Sequence, residues 1–360
     1  MENRKNKFVE LEDGGGGEKS SQLISEIRKF FPKSKNWKNT EDDGAVFDFS
    51  KYLTPNPSPW KACLSGRQGE GSNKLVFTTD AFIVDPIFFP GGDIGKIAIC
   101  GTINDLSVMG AVPIGISLSV VIEEGFPLED LKKIMQSIGK VSKETGVPVV
   151  TGDTKVTEKG KIDKIEITTS GVGLASKIIE NGGAKVGDVI IASGNLGEHA
   201  VALLANRFSY RTKIKSDCQP VTAEIQSILP YLTSCKDPTR GGMAAVLNEM
   251  AEKSKTRFIL KEANLPFAKE TVALSGLLGI DKFSFPSEGR FVGTVRERDA
   301  EKMIKILSKF NKEAKIIGIV ARPACHASRS DAGVGVWIKT KLGSEKKIEV
   351  PRGKLIPRIC

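Results

Sequence analysis

The sequence contains little histidine, no closely spaced cysteines and few aromatic residues. Only two of its 360 residues are histidines, and the six cysteines, at positions 63, 100, 218, 235, 325 and 360, form no CxxC pair. A zinc site needs clustered thiolate and imidazole ligands, so this pattern excludes one built from them. Aromatic residues make up 6% of the chain, and its lysines are spread along it. Despite a net charge of +10, we therefore predict no nucleic-acid partner and a basic surface suited to anionic ligands.

Long apolar runs are also missing. The segment VPIGISLSVVI, residues 112–122, has the composition of a strand and is too short to span a bilayer. The N-terminus, MENRKNKFVELEDGGGG, lacks the apolar core of a signal peptide. We expect no membrane partner and a reduced, cytoplasmic protein.

Strand-like and helix-like segments alternate through both halves of the chain, which predicts an α/β protein with two tandem domains. We expect mixed sheets covered by helices in domains over 1–180 and 181–350, followed by a mobile tail over 351–360. Residues 33–74 are polar and rich in proline and glycine, which indicates an irregular insertion. A helix is predicted near 220–233.

Three aspartates end or follow strongly apolar segments: Asp80 in FTTD, Asp105 in TIND and Asp153 in VTGD. Each one alone could be a turn or cap residue. Carboxylates are costly in apolar surroundings unless they are paired or bound to a cation. Mg²⁺ prefers carboxylate oxygens, often together with substrate phosphate. The three aspartates together predict a magnesium site.

Glycine-rich segments complement these carboxylates. FPGGDIGK contains Gly91, Gly92 and Lys96, and DPTRGG places Arg240 at a predicted helix start. The run Gly14–Gly17 precedes another helix. Such turns expose backbone N–H groups to anions, and a guanidinium can grip a phosphate at two points. The GxxxxGK[ST] spacing is absent, so we predict a nucleotide triphosphate site that is not a P-loop; tight turns are the alternative role for each glycine pair.

The segment IGKIAICGTINDLSVMGAVP, residues 94–113, resembles the signature of the ATP-binding superfamily that contains aminoimidazole ribonucleotide synthetase, selenophosphate synthetase and thiamine-monophosphate kinase. The resemblance implies that Lys96 and Asp105 serve the phosphates and magnesium. The segments VPVVTGDTKV, DPTRGGMAAVLNE, SEGR and the final LIPRIC resemble the HypE family of hydrogenase maturation proteins, over nearly all of residues 75–360.

This resemblance gives the last residue, Cys360, a function. It implies that a HypF-like carbamoyltransferase loads a carbamoyl group onto the Cys360 sulfur. ATP and Mg²⁺ then serve its dehydration to a thiocyanate, and the cyanide passes to a HypC–HypD-like iron-carrying complex for a [NiFe]-hydrogenase. The family fold is that of aminoimidazole ribonucleotide synthetase. A homodimer formed through the N-terminal sheets is also implied, because related proteins close these sheets into a barrel.

Two further residues match positions that the resemblance links to the dehydration. Lys155 follows Asp153 in GDTK, and Glu288 lies in PSEGR. A phosphate contact for Lys155 and a surface turn for Glu288 are the alternatives. Cys218 could lie near the site without a role in it, and His199 could contact substrate or be structural.

The sequence departs from the family at Asp13, where a histidine usually precedes the glycines; this puts a phosphate role for Gly14–Gly17 in doubt. Two other functions remain open. A small-molecule kinase or synthetase of the same superfamily would use the aspartates without needing Cys360. A non-catalytic scaffold would present Cys360 and turn over no ATP.

Overall fold

The computed structural model of the protein describes residues 8–10, 23, 25–33, 37–38, 46–47, 74–323, 333–351, 356 and 358–360. The predicted glycine loop at 14–17, Asp13 and most of the predicted insertion over 33–74 lie outside these residues. Within the part of the chain that is described, no helix has both the length and the apolar composition to cross a membrane.

The first half is built around a four-stranded mixed sheet with strand order β3-β8-β6-β7. Strands β3 and β8, and β8 and β6, are antiparallel, whereas β6 and β7 are parallel. The elements of this half are β1 Trp37–Lys38, β2 Val46–Phe47, β3 Lys74–Phe82, β4 Phe88–Phe89, β5 Gly92–Asp93, α1 Ile94–Val108, β6 Val112–Glu123, α2 Leu128–Thr145, β7 Val149–Thr157 and β8 Ile165–Ala175.

Helix α1 packs directly on one face of this sheet. The Asp93 side chain caps it by accepting a hydrogen bond of 3.0 Å from the Lys96 backbone N–H. Nearly every residue of α1 is buried, because the helix lies between the sheet, α2 and the second half of the chain. Its small residues allow this: a Cβ added at Gly101 would lie 2.9 Å from the Phe82 ring.

The opposite side of the sheet is not covered by α1 or α2. Pairing sets Ala81, Thr168, Ser119 and Asp153 in one row across the four strands. Because side chains alternate between faces along a strand, Phe77 lies on this side too. We call the side that carries these residues the open face. Phe77 is 66% exposed there.

The second half contains a seven-stranded mixed sheet with strand order β10-β12-β9-β13-β11-β14-β15. Its elements are β9 Asp188–Ala192, α3 Glu198–Arg207, α4 Thr222–Ile228, β10 Leu232–Lys236, α5 Gly242–Lys253, β11 Arg257–Lys261, α6 Lys269–Leu278, β12 Val292–Arg296, α7 Glu297–Leu307, β13 Lys315–Ala321, β14 Gly335–Lys339 and β15 Glu345–Ile348. The architecture of two mixed α/β sheets covered by helices confirms the predicted fold class.

One predicted element is wrong. The helix expected over 220–233 ends at Ile228, and the chain then forms strand β10. Pro230 explains the break, since proline cannot donate the hydrogen bond that continues a helix. The strand carries the chain directly to Asp237, which lies in the candidate site.

The two halves share one apolar core. Residues of α1, α2 and β6 pack in the same cluster as residues of α3 and as Ile356 and Ile359 of the tail. Asn104 of α1 also joins the halves by hydrogen bonds, donating to the carbonyls of Gln219 (3.0 Å) and Glu288 (2.9 Å) and accepting from the Val221 N–H at 2.9 Å. The site between the halves is therefore held by both.

Candidate active site

A cavity of about 410 Å³ lies where the end of β3 meets α1 and the second half of the chain. Four acidic residues, one arginine and one cysteine contribute to it. Its lining residues are Thr79, Asp80, Ala81, Phe82, Gly101, Asp105, Asp237, Thr239, Arg240, Glu288 and Cys360. Thr79 and Ala81 belong to the open face, so the cavity borders that face of the sheet.

Strand β3 and helix α1 place two of the predicted aspartates side by side. Thr78 Oγ1 donates to Asp105 Oδ2 at 2.8 Å, and Thr102 Oγ1 lies 3.5 Å from Asp80 Oδ2. Burial and then the neighbouring charge of Asp105 raise the pKa of Asp80 to about 6. Two carboxylates at such close range favour a bound cation, which would offset their repulsion.

The second half supplies two more acidic groups. Asp237 follows β10, and burial together with the charges of Asp105 and Asp80 raises its pKa to about 7. Glu288 is buried, and its Oε1 has no hydrogen-bond partner. Burial, followed by the charge of Asp237, raises the pKa of Glu288 well above its ordinary value. A carboxyl group in this state holds a proton more tightly than an exposed one, and its carboxylate form is a stronger base.

Cys360 lies in the cavity together with one carboxyl group and one guanidinium that act on its sulfur. Cys360, Glu288 and Arg240 line the same cavity. Burial and then Glu288 raise the pKa of Cys360 to about 12, against the opposing effect of Arg240. The sulfur is therefore a protonated thiol when the tail is seated in this way.

The predicted glycine turn lies beside the N-terminus of α1. Gly91 has φ +99°, and a Cβ added there would lie 2.8 Å from the backbone nitrogen of Ser216. The Lys96 ammonium donates to the Gly91 carbonyl at 2.8 Å. Gly92 is less confined, since its added Cβ would lie 3.1 Å from the flexible Lys96 side chain. The turn thus brings the Lys96 ammonium to the start of α1, where the Ile94 N–H bonds to the Ile87 carbonyl and the Lys96 N–H bonds to the Asp93 carboxylate.

Asp153 and Lys155 do not join this cavity within one chain. Asp153 shares a row with Ala81, whereas Asp80 occupies the neighbouring row, whose side chains point to the other face. Strand β7 is three strand spacings from β3, or about 14 Å. Asp153 and Lys155 instead pair with each other at 3.5 Å on the open face, 60% and 64% exposed.

The predicted metal triad of Asp80, Asp105 and Asp153 is therefore wrong for a single chain. Among the described residues, no group of three acidic, histidine or cysteine side chains is placed to hold an ion on its own. Asp80 and Asp105 remain as a pair, and Mg²⁺ commonly uses one or two carboxylates plus substrate phosphates.

Sequence reasoning missed three polar residues at this site. Asp237 was not singled out although it lies in the quoted DPTRGG segment; its signal is a carboxylate directly after a strand. Asp217 accepts the Glu288 backbone N–H at 2.9 Å, and Asn104 holds the Glu288 carbonyl. Neither contact has a local sequence signal, because the partners are 71 and 184 residues apart.

Cys218 and His199, whose roles the sequence does not decide, lie in different surroundings. Cys218 is buried near Cys100, which together with burial raises its pKa well above the ordinary value. It faces away from solvent as an unreactive thiol. His199 is buried and contacts the tail, since its Nε2 lies 2.7 Å from the Ile359 carbonyl oxygen.

Comparison with known proteins identifies relatives for both halves. The chain matches the family models described as AIR synthase related protein, N-terminal domain, over residues 42–175, and C-terminal domain, over residues 185–324. It is 37% identical over 368 residues to the carbamoyl dehydratase HypE of Cupriavidus necator, an alignment that covers 99% of this chain and 96% of that protein.

Solved structures agree with these matches. The hydrogenase maturation protein HypE in complex with ATP has a TM-score of 0.85 and 31% identity, covering 98% of this chain and all (100%) of that one. The HypE–HypF complex contains a chain with a TM-score of 0.72 and 38% identity, covering 78% of this chain and 91% of that chain.

Proposed function

The chain belongs to the AIR synthase related proteins and, among them, to the HypE carbamoyl dehydratases of hydrogenase maturation, and we propose on this premise that Cys360 carries its substrate. A carbamoyl group on the Cys360 sulfur is dehydrated to a cyano group at the expense of ATP. The observation that carries the proposal is the position of Cys360, seated in the acidic cavity beside Glu288 and Arg240.

The chemistry needs a leaving group made from an amide oxygen. That oxygen attacks the γ-phosphorus of ATP, the bond to the β-phosphate oxygen breaks, ADP leaves and the nitrogen gives up one proton. The C–O bond then breaks as the second nitrogen proton is removed, which leaves S–C≡N and phosphate. Glu288 is placed to accept a nitrogen proton, and its raised pKa makes its carboxylate a stronger base than an exposed one. Arg240 is placed to offset negative charge near the sulfur.

The proposed Mg²⁺ site consists of Asp80 and Asp105. The raised pKa of Asp80 and the close approach of the two carboxyls fit a divalent cation. When bound, such an ion supplies charge neutralisation on the transferring phosphate. Lys96 and the N–H groups at Gly91 and Gly92 are proposed to hold phosphate oxygens, since they line the start of α1.

Lys155 is proposed to act from a second copy of the chain. Leu75 and Phe77 on β3 are 60% and 66% exposed, an apolar surface that two sheets would bury by closing into an eight-stranded barrel. A two-fold axis along the strands sets β7 of one copy beside β3 of the other. The cavity borders the open face at Thr79 and Ala81, so Lys155 and Asp153 would reach the cavity of the second copy.

The partners follow from the same proposal. A HypF-like carbamoyltransferase loads Cys360, in keeping with the HypE–HypF complex known for a relative. A HypC–HypD-like complex carrying iron accepts the cyanide. The cytoplasmic location and the domain boundary near 180 remain predictions that accompany this function.

The test is mass spectrometry of the C-terminal peptide after incubation with carbamoyl phosphate, ATP and the carbamoyltransferase. We expect a carbamoyl adduct on Cys360, followed by loss of one water that depends on ATP. Cys360→Ala and an extension added after residue 360 should both abolish the cyano product while ATP binding persists, because neither alters the phosphate site. Cyanide delivery by Cys360→Ser would refute the carrier role. Phosphorylation of a small molecule by a variant without Cys360 would favour the kinase alternative. If the protein hydrolysed no ATP at all, the scaffold alternative would be favoured.

A further inference from the structure

The last three residues of the tail are held by their backbone. The Arg358 carbonyl accepts hydrogen bonds from the Asp85 N–H at 3.0 Å and from Arg207 Nη2 at 2.9 Å. The Ile359 carbonyl is bonded to His199, and the Ile83 N–H lies 3.4 Å from an oxygen of Cys360. Every one of these tail carbonyls therefore has a partner in the body of the protein.

The neighbours of His199 determine which of its two ring nitrogens carries the proton and donates a hydrogen bond. Its Nε2 lies 2.7 Å from the Ile359 carbonyl oxygen, which can only accept, so Nε2 carries the proton. Burial lowers the pKa of His199 and keeps the ring neutral, so Nδ1 accepts from Ser216 Oγ at 2.8 Å. Ser216 Oγ in turn accepts the Cys218 N–H at 3.1 Å. The network fixes both the tautomer and the ring orientation.

Arg207 holds the neighbouring carbonyl from the other end of the same helix. Its Nε donates to the Asp85 carbonyl at 2.9 Å, while Nη2 reaches Arg358. The guanidinium therefore bridges the segment after β3 to the tail. Arg358 itself has φ +52°, in the left-handed region that is unfavourable for a residue with a side chain. A conformation of this kind persists where surrounding contacts hold it.

Apolar packing alone would leave the tail's register open. Ile356 and Ile359 are 8% and 6% exposed, but apolar contacts are non-directional. A slip by one residue would move the sulfur by about 3.3 Å, which is more than a hydrogen-bond length. Hydrogen-bond donors at fixed points on α3 restrict this freedom, because they bond only where a tail carbonyl faces them.

We propose that His199 and Arg207 of α3 form a tail clamp, a pair of positioning residues that grip the Ile359 and Arg358 carbonyls and so set the depth at which Cys360 enters the cavity. The clamp binds backbone carbonyls of the tail and not its side chains. This proposal rests on the proposed function, because it takes Cys360 as the carrier of the substrate.

The clamp is also connected to the glycine turn. The Ser216 N–H donates to the Pro90 carbonyl at 2.8 Å, and Gly91 packs against the Ser216 backbone. The residue that orients His199 thus contacts the turn proposed to hold phosphate. Ser216 therefore links the position of the tail to the conformation of the glycine turn.

The test measures how fast iodoacetamide modifies Cys360 in the full-length protein, without ATP or partners. Mass spectrometry of the C-terminal peptide separates Cys360 from the other cysteines. A seated tail is protected, so the rate reports the unseated fraction. A free peptide of residues 353–360 gives the unprotected rate. We expect wild-type protein to react more slowly than this peptide; equal rates would overturn the clamp.

His199→Phe keeps a flat ring but has no donor, and Arg207→Met keeps length without a guanidinium. Each should raise the Cys360 rate about tenfold, since each removes one buried hydrogen bond that holds the tail. His199→Gln, whose amide can donate, should restore part of the protection. Ser216→Ala, a milder change, should raise the rate by a smaller factor.

The matched control is Asn206→Ala in the same helix, because Asn206 donates to the Phe88 carbonyl and not to the tail. Its rate should equal that of wild type. Wild-type protection in His199→Phe, Arg207→Met and Ser216→Ala, each folded by its melting curve, would overturn the clamp while the proposed function stands. Protection that follows the expected order in a protein that never forms a cyano group would sink the proposed function and leave the clamp intact.

Discussion

The two faces of the N-terminal sheet differ in whether the rest of the same chain covers them. The face under α1 carries Asp80 into a cavity closed by groups from the second half of the same chain. The open face carries Phe77, Asp153 and Lys155, all well exposed. Strand alternation alone separates the two sets, since Asp153 and Asp80 lie in neighbouring rows. One face is covered within the chain, whereas the other exposes apolar side chains and an ion pair, and this is the face that we propose a second copy covers.

The largest expected effect comes from the covered face. Glu288→Gln keeps the shape of the side chain and removes its basicity, so formation of the cyano group should fall by about 10²–10⁴-fold. ATP binding should change little, because Glu288 is proposed to touch the carbamoyl group and not the phosphates. Glu252→Gln, an exposed position in α5, is the matched control. An unchanged dehydration rate in Glu288→Gln, measured in a single turnover, would remove Glu288 from the mechanism.

A charge on the open face should separate the two copies. Phe77→Asp places a carboxylate in the proposed barrel interior, once from each copy. Burying a phenylalanine stabilises by about 1.5–3 kcal/mol, so dimer affinity should fall by about 10²-fold or more in sedimentation experiments. Phe310→Asp, at a residue 46% exposed in the second half, should leave association unchanged. Wild-type protein that sediments as a monomer at micromolar concentration would contradict the dimer.

Mixing two inactive variants tests whether the faces work across copies. Lys155→Ala and Glu288→Gln chains should each be inactive alone, yet a hybrid dimer has one cavity with an intact Glu288 facing an intact Lys155. Random mixing makes half the dimers hybrid, so about a quarter of wild-type activity should return. No recovery in a mixture shown to exchange subunits would mean that Lys155 acts within its own chain or not at all.

The smallest expected effect is on stability as a function of pH. The pKa values of Asp80 and Asp237 rise from 3.8 to about 6 and about 7. Because these folded-state values lie above the unfolded ones, their contribution is full below pH 3.8 and is lost as pH rises through 6 and 7. Asp237→Asn should flatten this decline by a few degrees of melting temperature.

Repeating the pH series of melting temperatures with added Mg²⁺ tests the proposed Mg²⁺ site. Added Mg²⁺ should raise the melting temperature more at pH 8 than at pH 5, since protons compete for Asp80, and Asp80→Asn should weaken that gain. Glu252→Gln, at an exposed position of α5, should leave the pH profile unchanged, because its side chain lies outside the cavity. A decline with pH that is as steep in Asp237→Asn as in the wild type would contradict its assignment to the buried carboxyl groups of the cavity.

Local signals in the chain were sufficient for the fold class and for part of the cavity. Alternating strand and helix patterns predicted two mixed α/β domains, and the structure confirms them. Asp80, Asp105, Arg240, Glu288 and Cys360 were all singled out, and all line one cavity. Asp80, Asp105 and Arg240 were recognisable because a carboxylate or guanidinium beside apolar segments or glycine turns is costly, and this cost marks the position in the sequence itself. Glu288 and Cys360 were recognisable only through the resemblance of SEGR and LIPRIC to the HypE family.

The sequence also contains a signal for Asp237. The helix predicted near 220–233 hides it, because the residues just before Asp237 form strand β10 and the predicted helix covers the start of that strand. Pro230 was the available signal, since a proline there ends a helix.

Other features depended on tertiary structure alone. Strand β7, VVTGDTKVT, has no clear alternation of apolar and polar residues, so nothing in it says which face Asp153 and Lys155 take; the register against β6 does. The bond from His199 to the Ile359 carbonyl spans 160 residues. Such contacts arise from strand pairing and from packing of distant elements around one core, and these interactions have no counterpart in the order of neighbouring residues along the chain.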